Sequence, residues 1–401
     1  MNCQKNGKNM AIDVIFSQKI ELERLLAKKY IPRDNLALGQ KSLTNKLVKV
    51  ITGPRRAGKS VYCLEILSGQ KFGYLNFDNE EILNIGSHEK IINALGETYP
   101  GITTLFLDEI QNLPKWELLA NTLQRNGFNL VLTGSNANLL SGELATHLTG
   151  RYQEISIYPF SFREFLKAKP SHQTSLLDYL QTGGYPEIVT SSLDPQNYLS
   201  TLFEATIYKD IVKRHRIKYP AEIATLAKLL TAGFTKQISL SNLTKNSGIG
   251  SHHTINKYLN YLTETYLLMP LGRFHYKTSQ RVKSANKIYF PDTGFAKTIY
   301  SPTPDFGKLL ENAVFIELIR NGFKPNRDLF YYQTRTNKEV DFLVFPKTSK
   351  PLLVQSCFDL ADPKTKKREE SALGQAGEEL GCKSKAVVTK ETFAQFSKTL
   401  L

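Results

Sequence analysis

No apolar run in the 401-residue chain is long enough to cross a bilayer as a helix, so a helical membrane protein is not expected. The opening stretch, "MNCQKNGKNMAIDVIF", has lysines but lacks the apolar centre of a secretory signal. "MNCQKNGKN" reads as an unstructured extension, with Met10 as an alternative start. Cysteine is scarce. Cys3, Cys63, Cys357 and Cys382 show no CxxC spacing, which argues against a disulfide framework or a zinc site and fits free thiols in a reducing cytoplasm. Acid is also in deficit, with 37 Asp+Glu against 52 Lys+Arg and a formal charge of +15. The deficit is concentrated between Thr206 and Phe290, where 14 Lys/Arg face three acids, Asp210, Glu222 and Glu264. Such a block suits a polyanion, nucleic acid before an anionic membrane surface. A solvated basic face is the bland alternative.

What is present begins with length, which points to two or three domains. "KLVKVIT" reads as a buried strand, and "KSVYCLEIL" as a helix. Between them, Gly53 to Ser60 fits GxxxxGK[ST]. Strand, glycine loop and helix occur in the order a phosphate cradle needs, because loop and helix-start N–H groups then face one anion. Gly53, Pro54, Arg55, Arg56, Ala57, Gly58, Lys59, Ser60 and Val61 are the candidate nucleotide contacts. Lys59 would reach the β/γ oxygens of ATP, and Ser60 would ligate Mg²⁺.

"LFLDEI" is a second apolar strand, and it ends in Asp108 and Glu109. Two carboxylates beside a core need a reason, because an ionised group is costly there. Asp108 would hold Mg²⁺ through water, and Glu109 would orient the attacking water. A third strand, "NLVLTGSNANLL", ends in Thr133, Ser135 and Asn136. Ser135 or Asn136 suits sensing of the γ-phosphate, and a simple polar turn is the alternative. Arg151, before the alternating "YQEISIYPF", is the candidate for compensating charge on the transferred phosphoryl group, in cis or across a subunit boundary.

Taken together, "TGPRRAGKS", "LFLDEIQN", "LTGSNANLL", "LTGRYQEISIYPFSFREF" and "GGYPEIV" resemble prokaryotic AAA+-type ATPases that carry a winged-helix domain and a C-terminal restriction-endonuclease-like domain. The resemblance runs from about residue 45 to the end. It implies an α/β P-loop NTPase sheet, then a winged helix, then an α/β nuclease-like domain. The boundaries it suggests are 1–44 for an extension and helix, 45–200 for the ATPase, 201–285 for the winged helix and 286–401 for the last domain. It also implies that Ser135 is the sensor, and it makes a homo-oligomer a reasonable expectation.

In the basic middle, Leu240 and Leu243 mark a first helix, "NSGIG" a turn, and "SHHTINKYLNYLTETYLL" a second helix opened by Ser251 as N-cap. In a helix-turn-helix the start of the second helix faces DNA, here Ser251, His252, His253, Thr254, Asn256 and Lys257. A protein-packing role is the competing reading. His252 and His253 are adjacent, so they point apart and do not form a metal pair.

In the last domain the resemblance implies a helix Glu, a strand Asp and a strand E-x-K, which together hold Mg²⁺ and activate water. Glu311 and Asp341 match. At the E-x-K position stand Gln355, Ser356 and Cys357. A neutral amide is a weak metal ligand and cysteine supplies no fixed cation, so the domain reads as degenerate unless Lys338 or another lysine moves in. The expected function is ATP hydrolysis that regulates engagement of DNA. An ATP- and Mg²⁺-dependent nuclease and a non-hydrolysing nucleotide switch that binds a protein are the alternatives.

Overall fold

The computed structural model describes residues 2–136, 150–170, 174–300, 305–347 and 349–399. Packing divides the chain into two compact units, Met1–Ile157 and Tyr158–Leu401.

The first unit is built on five parallel strands: β1 (Val48–Thr52), β2 (Gly73–Asn76), β3 (Thr104–Asp108), β4 (Asn129–Thr133) and β5 (Tyr152–Ser156), in the order β2-β3-β4-β1-β5. A parallel sheet is covered on both faces, so its central strands read as continuous apolar runs. Leu105, Phe106 and Leu107 accordingly have no exposed surface. After the short α2 (Leu36–Ser42), helix α3 (Lys59–Ile66) covers one face, and after the one-turn α4 (Glu80–Leu83), α5 (His88–Thr98) and α6 (Trp116–Arg125) cover the other. The N-terminal segment departs from the sequence reading. Residues Asn2–Leu26 form one helix, α1, with no unstructured extension. Ala11, Val14, Ile15, Gln18 and Leu22 are buried, a spacing that lays one side of the helix on the unit's core. Gln18 fixes it by a two-way bond with the backbone of Asn76, accepting from N at 2.9 Å and donating to O at 3.0 Å.

The second unit opens with α7 (Phe162–Ala168), α8 (Leu176–Thr182), α9 (Pro186–Thr190) and α10 (Pro195–Ala205). The sequence reading carried the ATPase region to residue 200, but by packing 158–200 belongs to this unit. The physical reason lies in "GGYPE" and "PDTG". Asp292 is buried and its Oδ2 accepts the Gly184 N–H at 2.6 Å. Gly183 has φ 78°, and a Cβ there would stand 1.9 Å from Asp292 Oδ1, so no other residue fits.

A π-helical segment, Thr206–Lys213, follows, then α11 (Pro220–Ala232), α12 (Leu240–Ser247) and α13 (His252–Glu264). Strands β6 (Gln237–Ile238), β7 (Met269–Gly272) and β8 (Asn286–Tyr289) form an antiparallel sheet in the order β6-β8-β7. After α14 (Thr278–Lys283), α15 (Thr293–Tyr300) and α16 (Phe306–Arg320) comes a four-stranded sheet of β9 (Leu329–Gln333), β10 (Glu339–Val344), β11 (Leu352–Ser356) and β12 (Ser384–Val388). Its order is β12-β11-β10-β9, and only β11 and β12 run parallel. Helix α17 (Pro363–Leu380) packs on β10 and β11.

Candidate nucleotide-binding site

The loop after β1 is shaped by left-handed backbone at Gly53 (φ 137°), Arg56 (φ 63°) and Gly58 (φ 90°). Gly53 has no alternative, since a Cβ there would lie 1.9 Å from the carbonyl oxygen of Ile157. Arg33, which sequence reasoning passed over, is buried and donates to the carbonyl of Ala57, pinning the loop from outside. Lys59 is buried, and its Nζ donates to the carbonyls of Gly53 (3.2 Å) and Pro54 (2.9 Å). Its ammonium therefore lies along the inner wall of the loop.

Next to it, Ser60 Oγ donates to Asp108 Oδ1 at 2.9 Å, and Thr133 Oγ1 donates to the same oxygen. Thr133 Oγ1 also accepts the Glu109 N–H at 2.9 Å, so it ties both acids to the end of β4. Sequence reasoning noted Thr133 only as polar; its position at the β4 terminus beside the acidic strand was the available signal. Asp108 is almost fully buried. Burial and the neighbouring Glu109 push its carboxyl up to about 6, although Thr133, Ser60 and Lys59 pull it back. Glu109 takes left-handed backbone at φ 49°, rare for a side chain of its kind, and its carboxylate accepts from Gln111 Nε2. Strain of this sort collects at functional positions. Ser135 is buried just past β4, beside the Gly134 N–H that donates to Ile51 O at 3.2 Å. Asn136 follows it. Residues 137–149, including His147, lie outside the described residues.

Arg151 is not brought to this site. Its carbonyl accepts the Val48 N–H at 3.0 Å, at the start of β1, and the parallel register then pairs Thr52 with Ser156. The phosphate loop leaves the other end of β1, roughly 16 Å away along the strand. Arg151 is exposed at that far end, so it cannot serve the same chain's site.

In the second unit two helices joined by a short turn stand where the helix-turn-helix was expected. Gly248 takes the left-handed turn conformation after α12, and Ser251, His252, His253, Asn256 and Lys257 are exposed on the first turns of α13, with Thr254 half-buried. Ser251 stands at the N-cap, but its side chain makes no capping bond. The basic 208–219 stretch joins this face. His215 stacks on Tyr261 of α13 with ring centroids 3.6 Å apart, and Lys257 lies over the same Tyr261 ring. Burial, then Arg214 and Lys257, lowers the His215 pKa.

Glu311, Asp341 and Gln355 line one open cleft of about 860 Å³ with Ser356 and Cys357. Lys338 is on its rim, where Nζ donates to Ser371 Oγ at 2.6 Å, so the missing motif lysine is not restored by Lys338. Cys63, Cys357 and Cys382 are free thiols. Among the described residues no helix is long and apolar enough to cross a membrane.

Against known proteins, an AAA domain matches residues 45–166, and two domains of unknown function, DUF8612 and DUF4143, match 173–304 and 306–398. An uncharacterized protein of Methanocaldococcus jannaschii is 35% identical over 396 residues, covering 91% of this chain and 86% of that one. An uncharacterized protein of Haemophilus influenzae is 33% identical over 341 residues, covering 79% and 83%. Among solved structures, the Walker-type ATPase of Pyrococcus abyssi aligns with 69% of this chain and 99% of its own, at 14% identity and a TM-score of 0.47. AMPPCP-bound DnaA from Aquifex aeolicus aligns with 57% and 86%, at 13% identity and a TM-score of 0.31.

Proposed function

The chain belongs to one family with the Methanocaldococcus and Haemophilus proteins, and on that premise we propose that it binds and hydrolyses ATP with Mg²⁺ and that its nucleotide state sets how it engages DNA. One observation carries the first half of this reading. At the sheet's C-terminal edge a helix-start serine bonds a buried strand-end aspartate, Thr133 links that aspartate to a strained glutamate, and the loop lysine beside them bonds the loop's own carbonyls.

The residues fit the group. A buried carboxylate with a raised pKa calls for a cation, and Ser60 Oγ and Asp108 Oδ1 are the oxygens that would hold one, directly or through water. Mg²⁺ would there neutralise charge on the β/γ-phosphate oxygens. Gly53 to Gly58 turn backbone N–H groups toward the phosphates, and Lys59 leaves the loop carbonyls to meet the terminal oxygens. Glu109 accepts a proton from the attacking water and orients it. Ser135, buried just past β4, would follow the γ-phosphate. The charge-compensating arginine comes from elsewhere; Arg151 of a neighbouring copy suits that role, which makes a homo-oligomer part of the reading.

The DNA half is supported by the basic face. Ser251, His252, His253, Thr254 and Lys257 open α13, and Lys213, Arg214 and Arg216 are exposed on the segment stacked against it. Duplex DNA is the polyanion that a helix-turn-helix with this charge suits.

The test is steady-state ATP turnover with and without duplex DNA, for wild type and Glu109→Gln. The expected result is turnover that rises with DNA and falls at least about 100-fold in the variant. Absent turnover in the wild type would overturn hydrolysis. Turnover indifferent to DNA, with no DNA binding at low salt, would overturn the partner.

A further inference from the structure

Lys287 lies on β8, in the three-stranded sheet, with its side chain 1% exposed. Its Nζ is 2.7 Å from Glu311 Oε1 on α16, 2.7 Å from Glu339 Oε1 and 3.5 Å from Asp341 Oδ1 on β10. The Tyr289 hydroxyl donates to the same Glu311 oxygen at 2.7 Å. The second oxygen of Asp341 accepts the Ser356 N–H at 2.9 Å and its Oγ–H at 2.6 Å. Gln355 accepts the Asp341 N–H at 3.2 Å and donates Nε2 to Glu369 at 2.8 Å. The acids at the floor of the cleft thus already have donors. Burial by itself would lower the Lys287 pKa. Glu311 first, then Tyr289, Asp341 and Glu339, outweigh burial and hold the ammonium charged.

We infer that Lys287 is the built-in cation of this cleft: its ammonium occupies the place where a metallonuclease would need a divalent ion, so the last domain works without metal and does not cleave. The chemistry favours this assignment on two independent grounds. A divalent ion needs carboxylate oxygens at about 2.0–2.6 Å, and an ammonium in contact with the same oxygens excludes it by volume and by like charge. The residue that would complete a metal set, Gln355, is neutral and spends both ends of its amide inside the cluster. Among the described residues no group of three or more His, Cys, Asp or Glu is arranged to hold a metal. The acids converge on lysine instead.

The inference also explains why such acids persist. Glu311 and Asp341 belong to α16 and β10, and Lys287 to the preceding sheet, so the ion cluster fastens one sheet to the other. Removing one partner of a buried ion pair is far more damaging than never having built it, because the remaining charge is stranded.

The deciding experiment is Mn²⁺ titration of the nucleotide-free full chain, followed by electron paramagnetic resonance, for wild type and Asp341→Asn. Identical isotherms for the two are expected, together with no Mn²⁺-dependent cutting of duplex DNA by the wild type. A saturable Mn²⁺ site that disappears in Asp341→Asn, or cutting that does, overturns the inference. Lys287→Met supplies the second reading. Its melting temperature is expected to fall by at least about 5 °C, and adding Glu311→Gln to recover part of that loss by removing one stranded acid. A Lys287→Met chain as stable as wild type overturns the inference. If neither variant folds, Mn²⁺ titration of Asp108→Asn decides: loss of all saturable binding is expected, and a saturable site that remains overturns the inference.

Discussion

Asp108→Asn should make the protein more stable while it disables the nucleotide site. Asp108 is buried at the end of β3, and its carboxyl is raised from 3.8 to about 6. The folded state therefore binds the Asp108 proton more tightly than the unfolded chain does. Stability contributed at this position is present at low pH and is lost as pH rises from the unfolded value toward the folded one. Above pH 6 the folded protein carries an ionised group that it holds unfavourably, at a cost of about 3 kcal/mol. Asparagine keeps an oxygen for Ser60 and Thr133 and removes the charge. The variant should therefore gain up to about 3 kcal/mol at pH 7.5, about half of that at pH 5, and little at pH 4. For a unit of this size that corresponds to a melting temperature higher by roughly 6–12 °C near neutral pH. The assay is thermal melting without nucleotide or metal, wild type beside variant, across that pH range. A variant less stable than wild type at pH 7.5, or a gap that widens toward pH 4, would refute the reasoning.

Other substitutions probe the same framework. Gly53→Ala forces a Cβ against the Ile157 carbonyl at left-handed backbone, so loss of ATP binding and about 3 kcal/mol or more of stability is expected by equilibrium titration and melting; a tolerated alanine would show that the loop geometry is wrong. Arg33→Ala removes the donor to the Ala57 carbonyl and should cost about 2 kcal/mol in denaturant unfolding, with weaker ATP binding by calorimetry. The pair Lys213→Ala with Lys257→Ala should flatten the slope of log affinity for duplex DNA against log salt by about 2, read by fluorescence anisotropy; an unchanged slope would move DNA away from this face.

The candidate nucleotide site was legible because its signals are local. Glycine spacing, an apolar strand and a terminal acid pair each lie within a short window, and the parallel sheet sets them side by side. Thr133 could be singled out only as polar, because its value comes from sitting between two acids on a neighbouring strand. Whether Arg151 could serve its own chain's site was not legible for the same reason: nearness to a motif in sequence says nothing about which end of a strand a residue occupies, and the β1–β5 register decides that. Lys287 was counted as one more charge in a basic block, and its burial among acids depends on contacts with α16 and β10 that no periodicity encodes. Residues 2–9 read as unstructured by composition, but they belong to a helix whose later turns are buried.

The strand order has a consequence for how the chain is made. β1 leaves the ribosome before β2 to β5, yet its partners are β4 and β5, through pairings such as Lys49 with Val131 and Thr52 with Ser156. The Ile157 carbonyl that crowds Gly53 arrives later still. The phosphate loop is therefore written early in the message and finished late. Until residue 133 emerges, β1 is an apolar strand with both edges open, one edge stays open until residue 156 follows, and the Ile157 carbonyl that closes on Gly53 is long-range in sequence. The growing chain passes through a window in which its most recognisable motif lacks the strand partners that frame it, and an open apolar strand edge in that window calls for protection from aggregation.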